Sequence, residues 1–223
     1  MNELFFLLSA MVGYFGVCCA AKYFGRAGLT AWVASSVILA NLATVKQVAV
    51  FGLDLTLGNV MFSSVFLATD ILTEVYGDEA ARKAVFAGMF SAVGFAAFGL
   101  IVNAYRPSEY DFASGALKEL LAFSIRISTV SVVCFFISNL ADVWLFEKFR
   151  KHSRKKLWLR NNVCTIVCNC TENFLMIFGA FYGVYDAATC LGIAASTCVI
   201  EAVAGLLDTP FAYLGRSWAA RQD

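Results

Sequence analysis

The chain is poor in charged residues and in proline. Only 15% of its 223 residues are charged, while 60% are hydrophobic; soluble domains are closer to a quarter charged. This scarcity of charge excludes an ordinary soluble domain. The net charge of +1 does not indicate a nucleic-acid-binding surface. The two prolines favour long helices over the short alternating segments of an outer-membrane barrel.

Metal and redox chemistry have little support in the sequence. The single histidine, His152, lies in a basic segment, and the eight cysteines lie inside apolar runs. Cys164, Cys168 and Cys170 have a loose ligand-like spacing, but no Cys-x-x-Cys pair occurs. The sequence has no glycine-rich phosphate loop and no set of nucleophile, base and orienting group. We therefore expect no metal, no cofactor and no enzymatic activity, and we interpret the cysteines as small membrane-buried residues.

Long apolar runs are what the sequence has instead. The mean hydropathy is +0.73, and several runs approach the roughly 20 residues that cross a bilayer. This pattern predicts an all-α, polytopic transmembrane helical bundle, built as one domain over residues 1–223. Spans are expected at about Leu4–Ala21, Leu29–Val50, Leu57–Tyr76, Ala84–Ala104, Leu117–Phe149, Leu159–Tyr182 and Ala187–Leu214. The connection Tyr105–Ala116 is interpreted as a lid or a plain loop.

The N-terminal apolar run is interpreted as a first span. It lacks a preceding basic region and a clear cleavage site, which a removed signal would have. Six spans without this run remain the alternative to seven. Both topologies place the C-terminus on the same side of the membrane.

Basic residues fall mainly on one side of the predicted topology. With seven spans, thirteen lysines and arginines lie on one side and two, Arg106 and Lys118, on the other. Lys46 and Arg126 lie within or at the edge of spans and are expected to snorkel to the outer interface. Because basic residues favour the cytoplasmic side, we predict an outer N-terminus and an inner C-terminus.

Polar side chains interrupt the predicted spans. The stretch Leu157–Phe181 is long enough to cross a bilayer, yet it contains Arg160, Asn161, Asn162, Asn169 and Glu172. Polar groups at membrane depth normally face a protein interior or a water-filled cavity, since they are costly in hydrocarbon. They are interpreted as the wall of a binding site. In the alternative interpretation they join helices by hydrogen bonds.

The polar groups form two layers when depth is estimated at about 1.5 Å per residue. The layer near mid-membrane comprises Asn41, Asn169, Glu172 and Glu201. The layer nearer the cytoplasm comprises Asp70, Glu74, Asp142, Arg160, Asn162 and Asp208. We predict that the first layer converges on a substrate and that Arg160 neutralises one of the acids. The amide and acid at Asn139 and Asp142 recur at Asn169 and Glu172, which suggests a faint inverted repeat.

This set of groups suits recognition of a ligand. A buried carboxylate accepts hydrogen bonds from adjacent N–H groups, and an amide offers both a donor and an acceptor. Guanine-like and amidine-like ligands present such paired donors. The candidate substrate-binding residues are Glu172, Asn169, Asn41, Asp142, Asn139, Asn162, Arg160, Asp70 and Glu201.

Four stretches resemble the queuosine precursor transporter family. They are FSSVFLATDILTEVYG at 62–77, SNLADVWLFEKF at 138–149, LWLRNNVCTIVCNCTENF at 157–174 and LLDTPFAYL at 206–214. The resemblance extends over spans two to seven. Positions that match the family pattern are Asn41, Asp70, Glu74, Tyr76, Gly77, Asn139, Asp142, Arg160, Asn161, Asn162, Thr165, Asp208 and Pro210. The chain departs from the pattern around Ser63, at Cys168, Asn169 and Glu172, and at Glu201.

The resemblance implies a multi-pass transporter of the cytoplasmic (inner) membrane. It would import 7-deazaguanine bases or queuine for salvage in tRNA modification. The expected partners are this small molecule and the lipid bilayer, without nucleic acid, and a homo-oligomer is compatible with the sequence. The alternatives are an importer of another heterocyclic vitamin or nucleobase, and a scaffold subunit that does not transport.

Overall fold

Helices make up nearly all of the backbone that the structure describes. The computed structural model describes residues 1–43, 46–121, 125–152, 157–183 and 186–220. The elements are α1 (Asn2–Ala43), β1 (Gln47–Val50), β2 (Leu53–Thr56), α2 (Gly58–Tyr76), α3 (Asp78–Ala104), α4 (Ser114–Leu121), α5 (Ile125–His152), α6 (Leu157–Phe181) and α7 (Ala187–Ala219). The all-α prediction is confirmed, with one small hairpin of strands added to it.

Helix α1 folds back on itself at Gly25. This residue has φ +53° and ψ −137°, a conformation that glycine enters at low cost. In a straight helix Gly16 and Trp32 would lie about 24 Å apart. Instead, a Cβ atom built on Gly16 would lie only 2.1 Å from Cη2 of Trp32. The element is therefore a hairpin of two helical arms, 2–24 and 26–43, which lie where the first two spans were predicted.

The second predicted span is too long at its C-terminal end. It was expected to continue to Val50, but the helix ends at Ala43 and residues 47–56 form an antiparallel hairpin in which Val50 pairs with Leu53. Phe51 and Gly52, the two turn residues, have φ +51° and +77°, which matches a type I′ turn. The Phe-Gly pair between two apolar segments thus reverses the chain outside the helix.

The fifth predicted span is divided. The expected span began near Leu117, whereas the structure has a short α4, and α5 begins only at Ile125; residues 122–124 lie outside the described ranges. Asp111 precedes α4, and its Oδ1 accepts hydrogen bonds from the backbone N–H groups of Ala113 and Ser114 at 2.8 and 2.9 Å. Hydrogen bonds from Ser114 and Ala113 hold the pKa of Asp111 below its ordinary value.

Helix α7 is also capped by an acid. Asp186 precedes its first residue and accepts hydrogen bonds from the hydroxyl and the backbone N–H of Thr189. These bonds lower the pKa of Asp186. An N-cap of this kind satisfies donors that the first turn leaves open, so it fixes where the helix begins.

Two helices in the described part of the chain are long and apolar enough to cross a membrane. They are Asn2–Ala43 and Asp78–Ala104. A third candidate arises when Ala187–Val203 and Leu206–Ala219, which meet at a bend of 43°, count as one span. Large apolar side chains on α3 point outward, including Phe90 and Phe98, which are 78% and 70% exposed. Such faces suit contact with lipid, and the chain is a helical membrane protein.

Helix α2 lies at the centre of the bundle. Thirteen of its 19 residues are buried, and both arms of α1 contact it. The Tyr14 hydroxyl donates to Ser63 Oγ at 3.1 Å, and the Trp32 indole N–H donates to Ser64 Oγ at 3.1 Å. Consecutive residues of α2 therefore bind one arm each, which fixes the α1 hairpin against the centre.

Contacts between segments distant in sequence lie at both ends of the bundle. At one end Lys22 lies over the Trp218 ring, 4.5 Å from its centroid, and Arg216 pairs with Glu74 at 3.3 Å. At the other end, the Asn2 amide donates to the backbone oxygen of Ala49 at 2.9 Å, joining the N-terminus to the β-hairpin.

Candidate binding site

One face of α2 carries a stripe of polar residues through the bundle. Asn59, Ser63, Asp70 and Glu74 follow one another at intervals of four, seven and four residues, which places them on one side of a helix. At about 1.5 Å per residue the stripe is about 22 Å long. Charged side chains from α5 and α7 meet it at different depths.

The first meeting point is formed by Glu201 on α7 and Asn173 on α6. The Asn173 amide donates to Glu201 Oε2 at 2.6 Å, and both residues are less than a tenth exposed. The neighbouring acid, Glu172, is close enough for its charge to act on Glu201. Glu172 also faces Cys134 on α5. This group therefore links α5, α6 and α7.

Glu201 lies in the wall of a pocket between α1, α2 and α7. The lining residues are Phe6, Asn59, Val60, Ser63, Thr197, Ile200 and Glu201. They combine one carboxyl, one amide and two hydroxyls with an apolar floor, which is the usual make-up of a small-molecule site. The enclosed space amounts to about 10 Å³, which is close to the size of one water molecule. Ligand sites typically start at about 300 Å³, so a heterocycle requires the helices to move well apart.

A second meeting point lies deeper along α2. Asp142 on α5 is fully buried. Its carboxyl faces the side chains of Asp70, Thr69 and Cys168. This group therefore joins α5 to α2 and α6.

The third meeting point is the Glu74–Arg216 ion pair at the end of the stripe. The side chain of Glu74 is 7% exposed and that of Arg216 is 46% exposed, so the pair lies at the rim of the bundle. It ties α2 to the C-terminal part of α7. Between this rim and the pocket, Asp208 is fully buried, and its charge acts on Tyr14, as that of Glu201 does.

The structure brings several predicted residues together. Glu172 lies close to Glu201, and Asp70 lies close to Asp142. Asn139 and Asn169 are buried on α5 and α6. Asn169 lies one turn along α6 from Asn173, hence on the same face.

Other predicted residues are not brought to these positions. Asn41 is only half-buried near the end of α1, and its amide donates to the backbone oxygen of Val37 at 3.0 Å. No contact between Asn41 and Glu172 is found among the described residues. The side chains of Arg160 and Asn162 lie outside the described residues, so the pairing of Arg160 with an acid stays a prediction.

The sequence reading missed several members of the site. Asn173 directly follows Glu172 in α6, and the step of one residue along the helix turns its side chain towards α7. Asn59 and Ser63 could have been found from the spacing that they share with Asp70 and Glu74. Arg216 was assigned only to the basic side of the topology, because a sequence pattern does not show which acid a terminal arginine meets.

Buried acids and amides in a helical membrane protein commonly mark the path of a substrate or an ion, as in membrane transport proteins. Residues 56–215 match the family model described as "Putative vitamin uptake transporter". The chain belongs to this family of transporters. This agrees with the resemblance seen in the sequence and with the prediction that the chain is not an enzyme.

Relatives of the chain point in the same direction. The chain is 35% identical over 217 residues to a "Probable queuosine precursor transporter" of Bacillus subtilis (strain 168), covering 96% of this chain and 95% of the relative. It is 30% identical over 147 residues to the "Queuosine precursor transporter" of Escherichia coli (strain K12), covering 66% and 64%. No solved structure matches the chain.

Proposed function

We propose that this chain imports queuosine precursors, meaning 7-deazaguanine bases or queuine, across the inner membrane for salvage into tRNA. The observation that carries this proposal is the 35% identity to a queuosine precursor transporter along 96% of the chain. The pocket that contains Glu201 supports it, because its polar groups suit a small heterocycle.

The recognition chemistry follows from the acceptors in and around the pocket. A guanine-type ring presents two adjacent N–H groups on one edge, and a carboxylate can accept both. We assign this role to Glu201: Asn173 fixes its Oε2 atom at 2.6 Å, and each carboxylate oxygen can still accept a hydrogen bond from the ring. Ser63 and Thr197 line the same pocket and provide hydroxyls for the remaining ring atoms. In this proposal Glu201 and Asn173 form the centre of the substrate site.

The other candidate residues take places along the transport path. Asn169 and Glu172 lie beside the pocket on α6, and Asp70, Asn139 and Asp142 lie deeper. Asn41, Arg160 and Asn162 remain proposed members of the path. A solute that leaves the pocket towards Arg216 would pass the buried acids before it reaches the Glu74–Arg216 pair.

We further propose one domain with seven spans, the N-terminus outside and the C-terminus inside. The reversal of α1 at Gly25 supports two passes in the first 43 residues. Lys22 and Arg216 lie at the same end of the bundle, as the preference of basic residues for the cytoplasmic side requires. The proposal needs no homo-oligomer, although it is compatible with one.

Uptake of a labelled 7-deazaguanine base into cells that lack their own carrier tests this function. Expression of the native chain should produce uptake. Glu201→Gln should reduce uptake about tenfold or more, because hydrogen bonds to charged groups contribute about 1.5–3 kcal/mol each. Glu119→Gln removes an exposed acid on α4 and serves as the matched control. Uptake that is no higher in cells whose membranes contain the native chain than in cells without it would contradict the proposal.

Import of another heterocyclic vitamin is the second candidate, because the matching family model describes vitamin uptake. Competition separates the two. Unlabelled guanine analogues should block uptake if the queuosine assignment holds, whereas pyridine-type or pterin-type compounds should block it under the alternative.

A further inference from the structure

The two arms of α7 contact different parts of the bundle. The proximal arm, Ala187–Val203, carries Glu201 in the pocket wall, and the Asn173 amide bonds this residue to α6 at 2.6 Å. The distal arm, Leu206–Ala219, meets the proximal arm at a bend of 43°. The distal arm packs against α1 and α2 in three layers, which follow one another from the pocket towards the end of the bundle that carries Arg216.

The first layer adjoins the pocket. The pocket residue Ser63 accepts a hydrogen bond from the Tyr14 hydroxyl at 3.1 Å. The Tyr14 ring in turn packs against the Phe211 ring, with 5.5 Å between the two centroids. Tyr14 is fully buried. The distal arm therefore covers α1 and α2 directly beside the pocket.

The second layer lies one turn further along α1, at Cys18. Its thiol donates to the backbone oxygen of Phe211 at 3.3 Å. A Cβ atom built on Gly215 would lie 2.4 Å from Cδ1 of Ile71 and 3.6 Å from Sγ of Cys18. The backbone of α7 thus lies against α1 and α2 at this level, and a heterocycle cannot pass between the three helices.

The third layer is polar and lies at the end of the bundle. Arg216 pairs with Glu74 at 3.3 Å, and Lys22 lies 4.5 Å from the centroid of the Trp218 ring. The side chain of Arg216 is 46% exposed, so water can replace its partner. A half-exposed ion pair contributes at most about 1 kcal/mol, and it can therefore break and form again within one transport cycle.

We propose that the distal arm of α7 is a gate on the transport path and that the Glu74–Arg216 ion pair is its latch. The pocket encloses only about 10 Å³, so a solute can leave it only when helices separate. The gate is closed in this structure, and it opens when the distal arm moves away from α1 and α2. This inference rests on the proposed function, and in the proposed orientation the gate faces the cytoplasm.

Accessibility of Cys18 tests the latch without any ligand. Cys18 is fully buried in the second layer, so a maleimide reaches its thiol only when the gate opens. The full-length chain is labelled in lipid nanodiscs, and mass spectrometry measures the label at each cysteine. Arg216→Gln should raise the labelling rate of Cys18 about threefold or more, because it removes an ion pair that holds the arm. Labelling of Cys190, which is equally buried at the start of α7, should not change.

Arg82→Gln is the matched control. Arg82 is also 46% exposed and pairs with an acid, Asp78, at 3.7 Å, but this pair lies within α3. The control should leave labelling of Cys18 at the native rate. Equal labelling of Cys18 in the native chain and in Arg216→Gln would overturn the latch. An equal rise at Cys18 and Cys190 would do so too, since it would mean that the whole fold has loosened.

A reversible cross-link tests whether the distal arm moves. Glu74→Cys and Arg216→Cys together place two thiols at the latch, and a membrane-permeant bis-methanethiosulfonate joins them. Cross-linking should lower uptake of a labelled 7-deazaguanine base about tenfold or more, because a gate that cannot open stops each cycle. A reducing agent should restore uptake, and the native chain, treated in the same way, should keep it. Undiminished uptake by the cross-linked chain would overturn the gate.

Failure of this inference can be told from failure of the proposed function. If the native chain takes up base and the cross-link has no effect, the gate alone is wrong. If the native chain takes up no base, the proposed function is wrong, and labelling of Cys18 still decides whether the ion pair holds the arm.

Discussion

In the proposed site, Glu201 is a buried carboxylate that a neighbouring side chain holds in place. Its Oε2 atom is fixed by the Asn173 amide at 2.6 Å, so the carboxylate cannot rotate freely about its last torsion. A fixed acceptor loses less conformational freedom on binding than a mobile one. The role that we propose for Asn173 is therefore one of positioning, which requires no contact of its own with a ligand.

Replacing Asn173 by alanine should weaken substrate binding about tenfold, because a hydrogen bond to a charged group contributes about 1.5–3 kcal/mol. The dissociation constant of the labelled base for the purified chain measures this. Thr171→Ala is the matched control, since Thr171 is an exposed neighbour on α6 whose hydroxyl bonds its own helix at Val167.

A positioning role leads to a second expectation. Asn173→Ala should weaken binding of the base less than Glu201→Gln does, because Glu201 still accepts hydrogen bonds from the ring N–H groups. An unchanged dissociation constant for Asn173→Ala would show that the hydrogen bond is structural and that Glu201 does not need it.

At the scale of elements, the α1 hairpin depends on the absence of a side chain at Gly16. A Cβ there would lie 2.1, 2.6 and 2.9 Å from three atoms of the Trp32 ring. An indole ring is rigid and must move as a whole. Trp32 is also bonded to Ser64 at 3.1 Å, so its displacement would loosen both the hairpin and its contact with α2.

Gly16→Ala should therefore lower the unfolding temperature in detergent, since overpacking typically costs about 1–3 kcal/mol. Gly94→Ala is the matched control. Gly94 lies in α3, and a Cβ there meets nothing within 4 Å. Alanine is about 0.5–1 kcal/mol better than glycine in a helix, so this control should raise the unfolding temperature. Equal shifts in the two variants would mean that the arms of α1 do not pack as described.

At the scale of the whole molecule, the orientation can be read by labelling introduced cysteines. Phe51→Cys and Tyr110→Cys place a thiol at sites that are 64% and 91% exposed. With the proposed orientation, a membrane-impermeant maleimide should label both in intact cells. Phe24→Cys, at a site 71% exposed beside the α1 turn, should be labelled only after permeabilisation.

Labelling of the native chain measures the background from its own cysteines, which are buried or half-buried. If Phe24→Cys is labelled in intact cells and Phe51→Cys is not, the orientation is the opposite of the proposed one. Labelling of all three from outside would contradict two passes in α1.

The sequence predicted the helical class and most helix positions, because long apolar runs leave few other structures in a membrane. It also selected Asp70, Asp142, Glu172 and Glu201 as candidates, and the structure brings Asp70 close to Asp142 and Glu172 close to Glu201. It could not place the end of α1, since the Phe51–Gly52 turn lies inside an apolar run. It also could not pair Glu201 with Asn173 or Glu74 with Arg216, because such pairs depend on how helices distant in sequence pack together.

The tight α1 turn has a consequence for biosynthesis. Gly16 contacts Trp32 and Gly28 lies against Ala20, so the two arms complement each other within the first 32 residues. A nascent chain can form these contacts before the ribosome has made α2. The arms are therefore suited to leave the translocon side by side as one insertion unit, which gives the later helices a template against which to assemble.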